Sequence, residues 1–294
     1  MAQFPVMTND NRRGGQRLRG VLSVAPGSTD LAGRDPRSTP LAPGGKSITK
    51  EALLAHAEGL ATLQEALFAE ATAGSPRRVL VVLQGMDTSG KGGVVKHVIG
   101  LVNPQGVTIA SFKKPTPEER EHHFLWRVRR QAPRPGFLGI FDRSHYEDVL
   151  VARVRGLAPE DVIECRYDEI NRFEEDLADE GVTVVKCFLH ISYDEQRARL
   201  LARLDDPTKH WKFNPGDLEE RKLWPAYQEA YQLALARCST DAAPWYVVPS
   251  DRKWYRNWAV GRLLLETLTA MAPTYPPTDL DVPALKARLA PPNY

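Results

Sequence analysis

The chain has 294 residues, of which 42% are hydrophobic and 26% are charged, as is ordinary for a globular protein. Its formal net charge is +2, so the overall charge argues neither for nor against a polyanionic partner, and any basic patch has to be local. Its three cysteines lack metal-type spacing, which favours a reducing compartment, and we expect a cytoplasmic protein. No apolar run approaches the ~20 residues that cross a bilayer, so we expect no membrane association.

The composition changes along the chain and predicts three parts. Residues 1–46 are rich in Gly, Pro, Ser and Arg without a sustained period, which predicts a disordered tail rather than a segment that binds a polyanion through its arginines. Residues 47–275 are predicted to form one α/β domain. Residues 276–294 are predicted to form an irregular C-terminal tail.

A glycine-rich turn follows the first predicted strand, at 79–84, and precedes a predicted helix at 91–101. The turn reads GMDTSGKGG over residues 85–93. Glycines let successive backbone N–H groups converge, the helix dipole adds positive potential, and Lys91 adds a full charge. The sequence therefore predicts a phosphate-binding loop. Its candidate phosphate contacts are Gly85, Ser89, Gly90, Lys91 and Gly92.

The loop departs from the usual pattern at two positions. Gly92 stands where a Ser or Thr hydroxyl usually binds Mg²⁺, and Asp87 places a carboxylate where it would repel phosphate. Two interpretations follow: the match is accidental, or Asp87 meets phosphate through a metal ion.

Apolar periodicity predicts the remaining elements, beginning with a helix at 49–72. Four more strands are predicted at 107–112, 136–141, 182–191 and 245–248. Helices are predicted at 117–130, 147–155, 159–179, 192–204, 217–237 and 253–271. Strands that alternate with helices predict a five-stranded parallel sheet with helices on both faces, and such sheets bind ligands at the carboxyl ends of their strands.

Charged side chains follow two of the predicted strands. Lys113 and Lys114 follow the second strand, and Asp142 and Arg143 follow the third. Asp142 has the position of a carboxylate that holds Mg²⁺ in phosphoryl-transfer enzymes, but an Asp there can also cap the next turn. Arg143 matches phosphate geometry, although a salt bridge to an acidic side chain at 147 or 148 is the alternative.

The segment at 197–222 has the densest pattern of charges and lies between the fourth and fifth predicted strands. A helix, a loop broken by prolines and a second helix are typical of a mobile lid that brings cations over phosphates. Nucleoside-monophosphate kinases carry their lids at this place in the chain, which is an analogy. A salt-bridged, solvated hairpin is the alternative. Trp211 could stack on a base or pack within this segment.

Five stretches together resemble the polyphosphate kinase type 2 family. They read GMDTSGKGG at 85–93, SFKKP at 111–115, DRSHYED at 142–148 followed by Arg153, DPTKHWK at 206–212 and DRKWY at 251–255. The resemblance covers roughly residues 46–275. The variant SHYED is similar to the branch that phosphorylates AMP and often ADP, in which Asn is frequent at the position of Asp142.

The resemblance implies a P-loop kinase fold, a three-layer α/β sandwich with a helical lid, and Mg²⁺-dependent transfer between inorganic polyphosphate and a nucleotide. It implies that Asp87 acts with Asp142 around Mg²⁺, and that Lys91, Arg143 and Arg153 neutralise the transferring group. It also implies a homo-oligomer, a dimer or a tetramer. The remaining implied contacts with nucleotide or polyphosphate are Lys113, Lys114, Glu147, Asp148, Arg203, Lys209, Lys212 and Arg221.

Other functional classes remain open at this point. An ATP-dependent nucleoside-monophosphate kinase would share the fold and differ in its donor. A nucleotide-binding regulator would keep Lys91 but would need no cation-rich lid. Nucleic-acid binding is the least favoured, since the chain has no basic platform interleaved with aromatic residues and its net charge is small.

Overall fold

The computed structural model describes residues 17–27 and 31–289. Within these residues, five strands form one parallel sheet in the order β2-β3-β1-β4-β5. The strands are β1 Arg78–Gln84, β2 Val107–Ser111, β3 Leu138–Asp142, β4 Val182–His190 and β5 Trp245–Pro249. The prediction of a five-stranded parallel sheet is therefore confirmed.

Thirteen α-helices accompany the sheet in the described part of the chain. They are α1 Leu18–Leu22, α2 Lys46–Ala55, α3 Ala57–Thr72, α4 Lys91–His97, α5 Pro117–Arg120, α6 Trp126–Arg129, α7 Glu147–Val154, α8 Glu160–Asp179, α9 Tyr193–Leu204, α10 Gly216–Lys222, α11 Trp224–Cys238, α12 Lys253–Met271 and α13 Val282–Arg288. No helix in residues 17–27 and 31–289 is long and apolar enough to cross a bilayer.

The sheet separates two hydrophobic cores. Along β1, Leu80 and Val82 belong to the core that α7, α8 and α11 cover. Val79, Val81 and Leu83 belong to the opposite core, which α2, α3, α4 and α12 cover. Because successive side chains of a strand point to opposite faces, a central strand buried on both sides is apolar throughout. The predicted three-layer arrangement follows from this.

Residues 17–27 and 31–46 depart from the prediction of a disordered tail over 1–46. Leu18, Leu22, Val24 and Leu31 are at most 3% exposed, and Val24 N–H donates to the β5 carbonyl of Trp245 at 2.9 Å. These residues cover the edge strand of the sheet. The composition of the segment did not predict this role, because its four buried apolar residues are dispersed among glycines and prolines and their partners lie far away in sequence. Residues 1–16 and 28–30 lie outside the described part.

Several predicted helices are shorter than expected. The helix predicted at 117–130 begins at a capping box formed by Thr116 and Glu119 but ends at Arg120, and α6 follows after a turn. The helix predicted at 217–237 breaks at Leu223, because Pro225 lies in the first turn of α11, where proline is well tolerated.

The helix predicted at 49–72 is divided at His56 into α2 and α3. The C-terminal tail predicted to be irregular contains α13, which Asp281 caps by accepting from Ala284 N–H at 3.0 Å. Residues 290–294 lie outside the described part.

Candidate active site

The strand register places the two predicted functional turns side by side. β1 lies between β3 and β4, and Leu83 near the end of β1 is paired with Asp142 at the end of β3. After β3 the chain crosses β1 to reach β4, so this edge is a switch point of the topology. The carboxyl ends of strands at such a point form the crevice in which open α/β sheets bind ligands.

Residues 85–91 form the phosphate loop, which curls through left-handed backbone positions. Thr88 has φ +66° and Gly90, which precedes α4, has φ +109°. Among the described residues, the backbone N–H groups of Asp87, Thr88 and Gly90 have no acceptor, and the buried hydroxyls of Thr88 and Ser89 have no partner. An unpaired cluster of donors at a helix start is suited to an anion.

Lys91 lies inside this crevice and turns its ammonium group back over the loop. Its Nζ donates to the carbonyl of Gly85 at 2.8 Å. Burial lowers the pKa of Lys91, and the nearby carboxylates of Asp87, Asp142 and Glu147 only partly counter this effect. The ammonium group is therefore surrounded by carboxylates and lies where a phosphate would displace the Gly85 contact.

Arg143 joins the turn after β3 to the phosphate loop. Its backbone has φ +65°, and its N–H donates to Leu83 O at 3.1 Å. The guanidinium lies 3.1 Å from Asp87 Oδ1 and 3.9 Å from Glu147 Oε2. The salt bridge to Glu147, which was one of the two predicted roles of Arg143, is therefore present. The contact with Asp87 was not predicted from the sequence.

Glu147 and Asp148 begin α7 beside this contact. Gln84 Nε2 donates to Glu147 Oε1 at 3.1 Å, and burial raises the pKa of Glu147 although Arg143 opposes the shift. Arg127 Nη2 lies 3.5 Å from Asp148 Oδ2, and burial likewise raises the pKa of Asp148. Both carboxylates are thus held inside the crevice by cations.

Arg127 also connects the end of β2 to this part of the site. Its Nη1 donates to the backbone carbonyl of Lys113 at 2.8 Å, while the side chains of Lys113 and Lys114 are exposed. Arg127 was not among the predicted site residues, because a continuous helix at 117–130 gives no reason for its side chain to turn towards β2.

The described residues contain no group of three or more His, Cys, Asp or Glu side chains placed to hold a metal ion. Asp87 and Asp142 both lie within electrostatic reach of Lys91, one in the loop and one at the end of β3. Mg²⁺ is usually held by one or two carboxylates together with substrate phosphates and water. The two carboxylates therefore fit as ligands of a Mg²⁺ ion, with phosphate oxygens completing its coordination shell.

The lid segment at 197–222 consists of the end of α9, a 3₁₀ turn at Pro207–Lys212 and α10. Arg203 lies 3.4 Å from Asp217, and burial and the charge of Asp87 raise the pKa of Asp217. A side-chain hydrogen bond from Lys209 lowers the pKa of Asp206 to about 2. The salt bridges expected of a solvated hairpin are therefore present. The effect of the Asp87 charge on Asp217 also means that the lid lies close to the phosphate loop.

The other lid residues differ in their surroundings. Arg221 donates to Tyr193 O and Gln196 Oε1, both at 2.8 Å, and so is held on α9. Trp211 is 79% exposed, with Lys212 Nζ 4.8 Å from the ring centroid. Trp211 therefore does not pack within the lid, which was one of its two predicted roles.

Arg153 is the predicted site residue that lies apart from the loop. Its guanidinium forms ion pairs with Glu160, at 3.4 Å, and with Glu164, both on α8. No described contact joins it to the phosphate loop.

Two arginines that the site prediction omitted contact the phosphate loop directly. Arg199 Nη1 donates to Thr88 O at 2.8 Å and Ser89 O at 3.0 Å, and Arg256 Nη1 donates to Ser89 O at 3.1 Å. Arg199 was noticed only as part of the charge pattern of the lid. The available signal for Arg256 was its place directly after the DRKWY stretch.

A loop of free N–H donors before a helix, facing a carboxylate at the end of the neighbouring strand, is the arrangement of a P-loop kinase. Residues 46–276 match the family described as Polyphosphate kinase 2 (PPK2). The chain belongs to this family, and the predicted family and kinase class are confirmed.

Similar proteins agree with this membership. The AMP/ADP-polyphosphate phosphotransferase of Meiothermus ruber is 52% identical over 85% of this chain and 92% of the relative. The ADP-polyphosphate phosphotransferase of Rhodopseudomonas palustris is 40% identical over 78% of this chain and 82% of the relative. The crystal structure of polyphosphate kinase 2 from Arthrobacter aurescens TC1 superposes with a TM-score of 0.91 at 50% identity, covering 93% of this chain and 96% of that one.

Proposed function

We propose that the protein transfers a phosphoryl group between inorganic polyphosphate and AMP or ADP, forming ADP or ATP. The observation that carries the proposal is the contact between Arg143 and Asp87 at 3.1 Å, which joins the phosphate loop to the turn after β3. Two phosphate chains that meet end to end need cations and carboxylates from both sides of one crevice. The names of the relatives from M. ruber and R. palustris support these substrates.

Different groups of the crevice bind the phosphate in the loop and the phosphoryl group that is transferred. Lys91 exchanges the Gly85 carbonyl for a phosphate oxygen, and the free N–H groups of the loop, with Gly85, Ser89, Gly90 and Gly92, surround the phosphate. Arg143 exchanges Asp87 for an oxygen of the transferring group. Phosphoryl transfer needs positioning and neutralisation of charge more than covalent help, which these groups supply.

Asp87 and Asp142 would hold a Mg²⁺ ion in this proposal. Such an ion would neutralise the negative charge that develops on phosphate oxygens during transfer. Asp87, which lies 3.1 Å from Arg143, would then be shared between that ion pair and the metal ion.

The remaining cations are proposed to guide the substrates. The lid cations Arg203, Lys209, Lys212 and Arg221 line the path of polyphosphate, with Lys113 and Lys114 at the end of β2. Glu147 and Asp148 contact the nucleotide. Arg153 is proposed to neutralise the transferring group, which requires it to leave its ion pairs with α8.

The domain division, the location and the assembly remain proposals. We propose that residues 47–275 carry the kinase domain. A cytoplasmic location fits the three free cysteines, and localisation of a tagged chain tests it. Assembly into a dimer or tetramer is tested by light scattering, and a monomer at every concentration would refute it.

Replacing Lys91 by Ala or Asp142 by Ala tests the proposed site. Each variant should lower kcat/KM by about 10²–10³-fold, because each removes one preorganised charge from the transition state. The assay follows ADP formation from AMP and polyphosphate with Mg²⁺ present or chelated. K96A, on the exposed face of the same helix, is the matched control and should keep full activity. Near-native activity of K91A would refute the site.

A panel of donors and acceptors tests the substrates themselves. AMP, ADP, GMP and GDP are each incubated with polyphosphate or with ATP. We expect transfer from polyphosphate to AMP or ADP. Transfer to AMP from ATP alone would identify an ATP-dependent nucleoside-monophosphate kinase instead, and nucleotide binding without transfer would indicate a regulator.

A further inference from the structure

Two buried arginines contact the phosphate loop on the side away from its free N–H groups. Arg199 lies on α9, the helix that leads into the lid, and Arg256 lies on α12. Arg199 is 7% exposed and Arg256 is 3% exposed, so neither guanidinium is open to substrate. Both donate to carbonyl oxygens of the loop, at Thr88 and Ser89.

Arg256 carries a charge that no carboxylate compensates. Its Nε and Nη2 donate to Asn257 Oδ1 at 3.1 and 2.8 Å, and its Nη1 donates to Ser89 O. No acidic side chain forms an ion pair with it in the described ranges. Burial and the neighbouring charge of Arg199 lower the pKa of Arg256 to about 9. Burying an unpaired charge costs free energy, so we expect the buried guanidinium beside the phosphate loop to have a function there.

The guanidinium of Arg256 lies directly against loop backbone that has no side chains. A Cβ atom at Gly90 would lie 1.7 Å from Arg256 Nη1, and one at Gly93 would lie 2.5 Å from Nη2. Gly90 also has positive φ, which favours glycine independently. Gly93 lies within α4 and does not have positive φ. The space that it leaves for the guanidinium of Arg256 therefore explains why glycine stands at this position.

Arg199 ties the same part of the loop to two other elements. Its Nη2 donates to Ser250 O at 2.5 Å and Asp251 O at 3.1 Å, just after β5, and its Nε donates to Glu195 Oε1 at 2.7 Å. One turn earlier on α9, Gln196 Nε2 donates to Asp87 O at 3.3 Å. The helix that begins the lid is therefore attached to the loop.

The carbonyl contacts determine where a loop N–H group points. A trans peptide is planar, so its C=O and N–H groups point in opposite directions. Arg199 and Arg256 both hold the carbonyl of Ser89, and the N–H of the same peptide unit belongs to Gly90. That N–H has no acceptor among residues 17–27 and 31–289, and it points away from the two guanidinium groups.

We propose that Arg199 and Arg256 are positioning residues, which hold the Ser89–Gly90 peptide with its N–H towards phosphate and place positive charge behind the loop. Arg199 extends this control to the lid, because movement of α9 moves the same carbonyls. The proposal rests on the proposed function only in taking the loop as the phosphate site. Its test therefore measures binding of inorganic tripolyphosphate, which does not require transfer activity.

The test is a double-mutant cycle between Arg256 and Gly93. R256M removes the charge and the hydrogen bond, and G93A fills the space that the guanidinium occupies. Each single variant should weaken tripolyphosphate binding about tenfold in titration calorimetry. Because both remove the same contact, R256M/G93A should bind within twofold of R256M, whereas independent effects would multiply to about a hundredfold.

Controls separate positioning from general damage. R262M makes the same change on the same helix at a side chain that donates to Glu266 Oε1 at 2.9 Å, and it should bind tripolyphosphate like the wild type. R256K keeps the charge and most of the packing, and should bind more weakly than the wild type with an unchanged melting temperature. Wild-type binding by R256K and by G93A, or multiplying losses in the cycle, would overturn the proposal. Absence of transfer by a wild type that binds tripolyphosphate would instead refute the proposed function.

Discussion

Lys186 and Glu174 form a buried ion pair beneath the turn that carries Asp142 and Arg143. Lys186 Nζ lies 2.5 Å from Glu174 Oε2 and donates to Tyr146 Oη at 2.8 Å. Glu174 Oε1 also accepts from Tyr146 Oη at 2.9 Å and is 3.1 Å from His145 Nε2. The side chains at 145 and 146 are fully buried, so they anchor the turn to α8 and β4 rather than contact substrate.

Replacement of Glu174 by Gln should destabilise the protein strongly. Removing one partner of a buried ion pair leaves the other charge uncompensated, which costs about 3–5 kcal/mol. Urea unfolding at pH 7 measures the loss. E174Q/K186M, which removes both charges, should recover part of it. Equal losses in the single and double variants would show that packing, and not charge, holds this turn.

The same pair predicts how the loss depends on pH. Burial raises the pKa of Glu174, but Lys186 and His145 outweigh burial, so the pKa lies below its ordinary value of 4.5. A carboxyl group with a lowered pKa in the folded state contributes stability above its unfolded pKa and loses it as pH falls through the folded value. The stability difference between the wild type and E174Q should therefore be largest near neutral pH and shrink below 4.5.

At the scale of elements, the N-terminal segment covers the edge strand β5. Ser23 forms a bridge with Tyr246, and the N–H groups of Leu18 and Arg19 donate to Glu266 on α12, both at 3.1 Å. An uncovered edge strand exposes unpaired backbone groups and invites association. The segment therefore belongs to the folded unit although it precedes the residues that match the family.

A chain that begins at residue 46 should be less stable than the full chain. Burial of each large apolar side chain contributes ~1.5–3 kcal/mol, and Leu18, Leu22, Val24 and Leu31 are all buried. We expect a lower free energy of unfolding in urea, with more aggregation by light scattering, because the apolar residues that the segment covers become exposed. A chain that begins at residue 17 keeps these four residues and is the control. Equal stability of all three chains would refute this role of the segment.

For the whole molecule, the sequence predicted what depends on local patterns. The apolar strands, the helix at α9 and the order of the phosphate loop, Asp142 and the lid follow from residues close together in the chain. Arg256 and Ser89 are 167 positions apart, and Leu18 and Glu266 are 248 apart. No local pattern reveals such contacts, since the fold alone brings these residues together.

The distribution of charge over the whole molecule predicts how polyphosphate binding depends on salt. The net charge is only +2, so attraction of polyphosphate depends on local cations such as the exposed Lys209 and Lys212. Each exposed ion contact contributes ~0.2–1 kcal/mol, so K209Q/K212Q should raise KM for long polyphosphate about twofold to thirtyfold at low salt. The value of kcat should stay within about twofold, because contacts far from the reacting phosphate bind the ground state and the transition state alike.

Salt separates this effect from structural damage to the lid. The Debye length falls from ~10 Å at 0.1 M to ~3 Å at 1 M, so the difference in KM between K209Q/K212Q and the wild type should disappear at 1 M salt. K286Q/R288Q removes the same net charge from α13 and is the matched control, which should leave KM unchanged at every salt concentration. A raised KM that persists at 1 M would mean that Lys209 and Lys212 shape the lid instead of attracting polyphosphate, because screening cannot restore a lost packing contact.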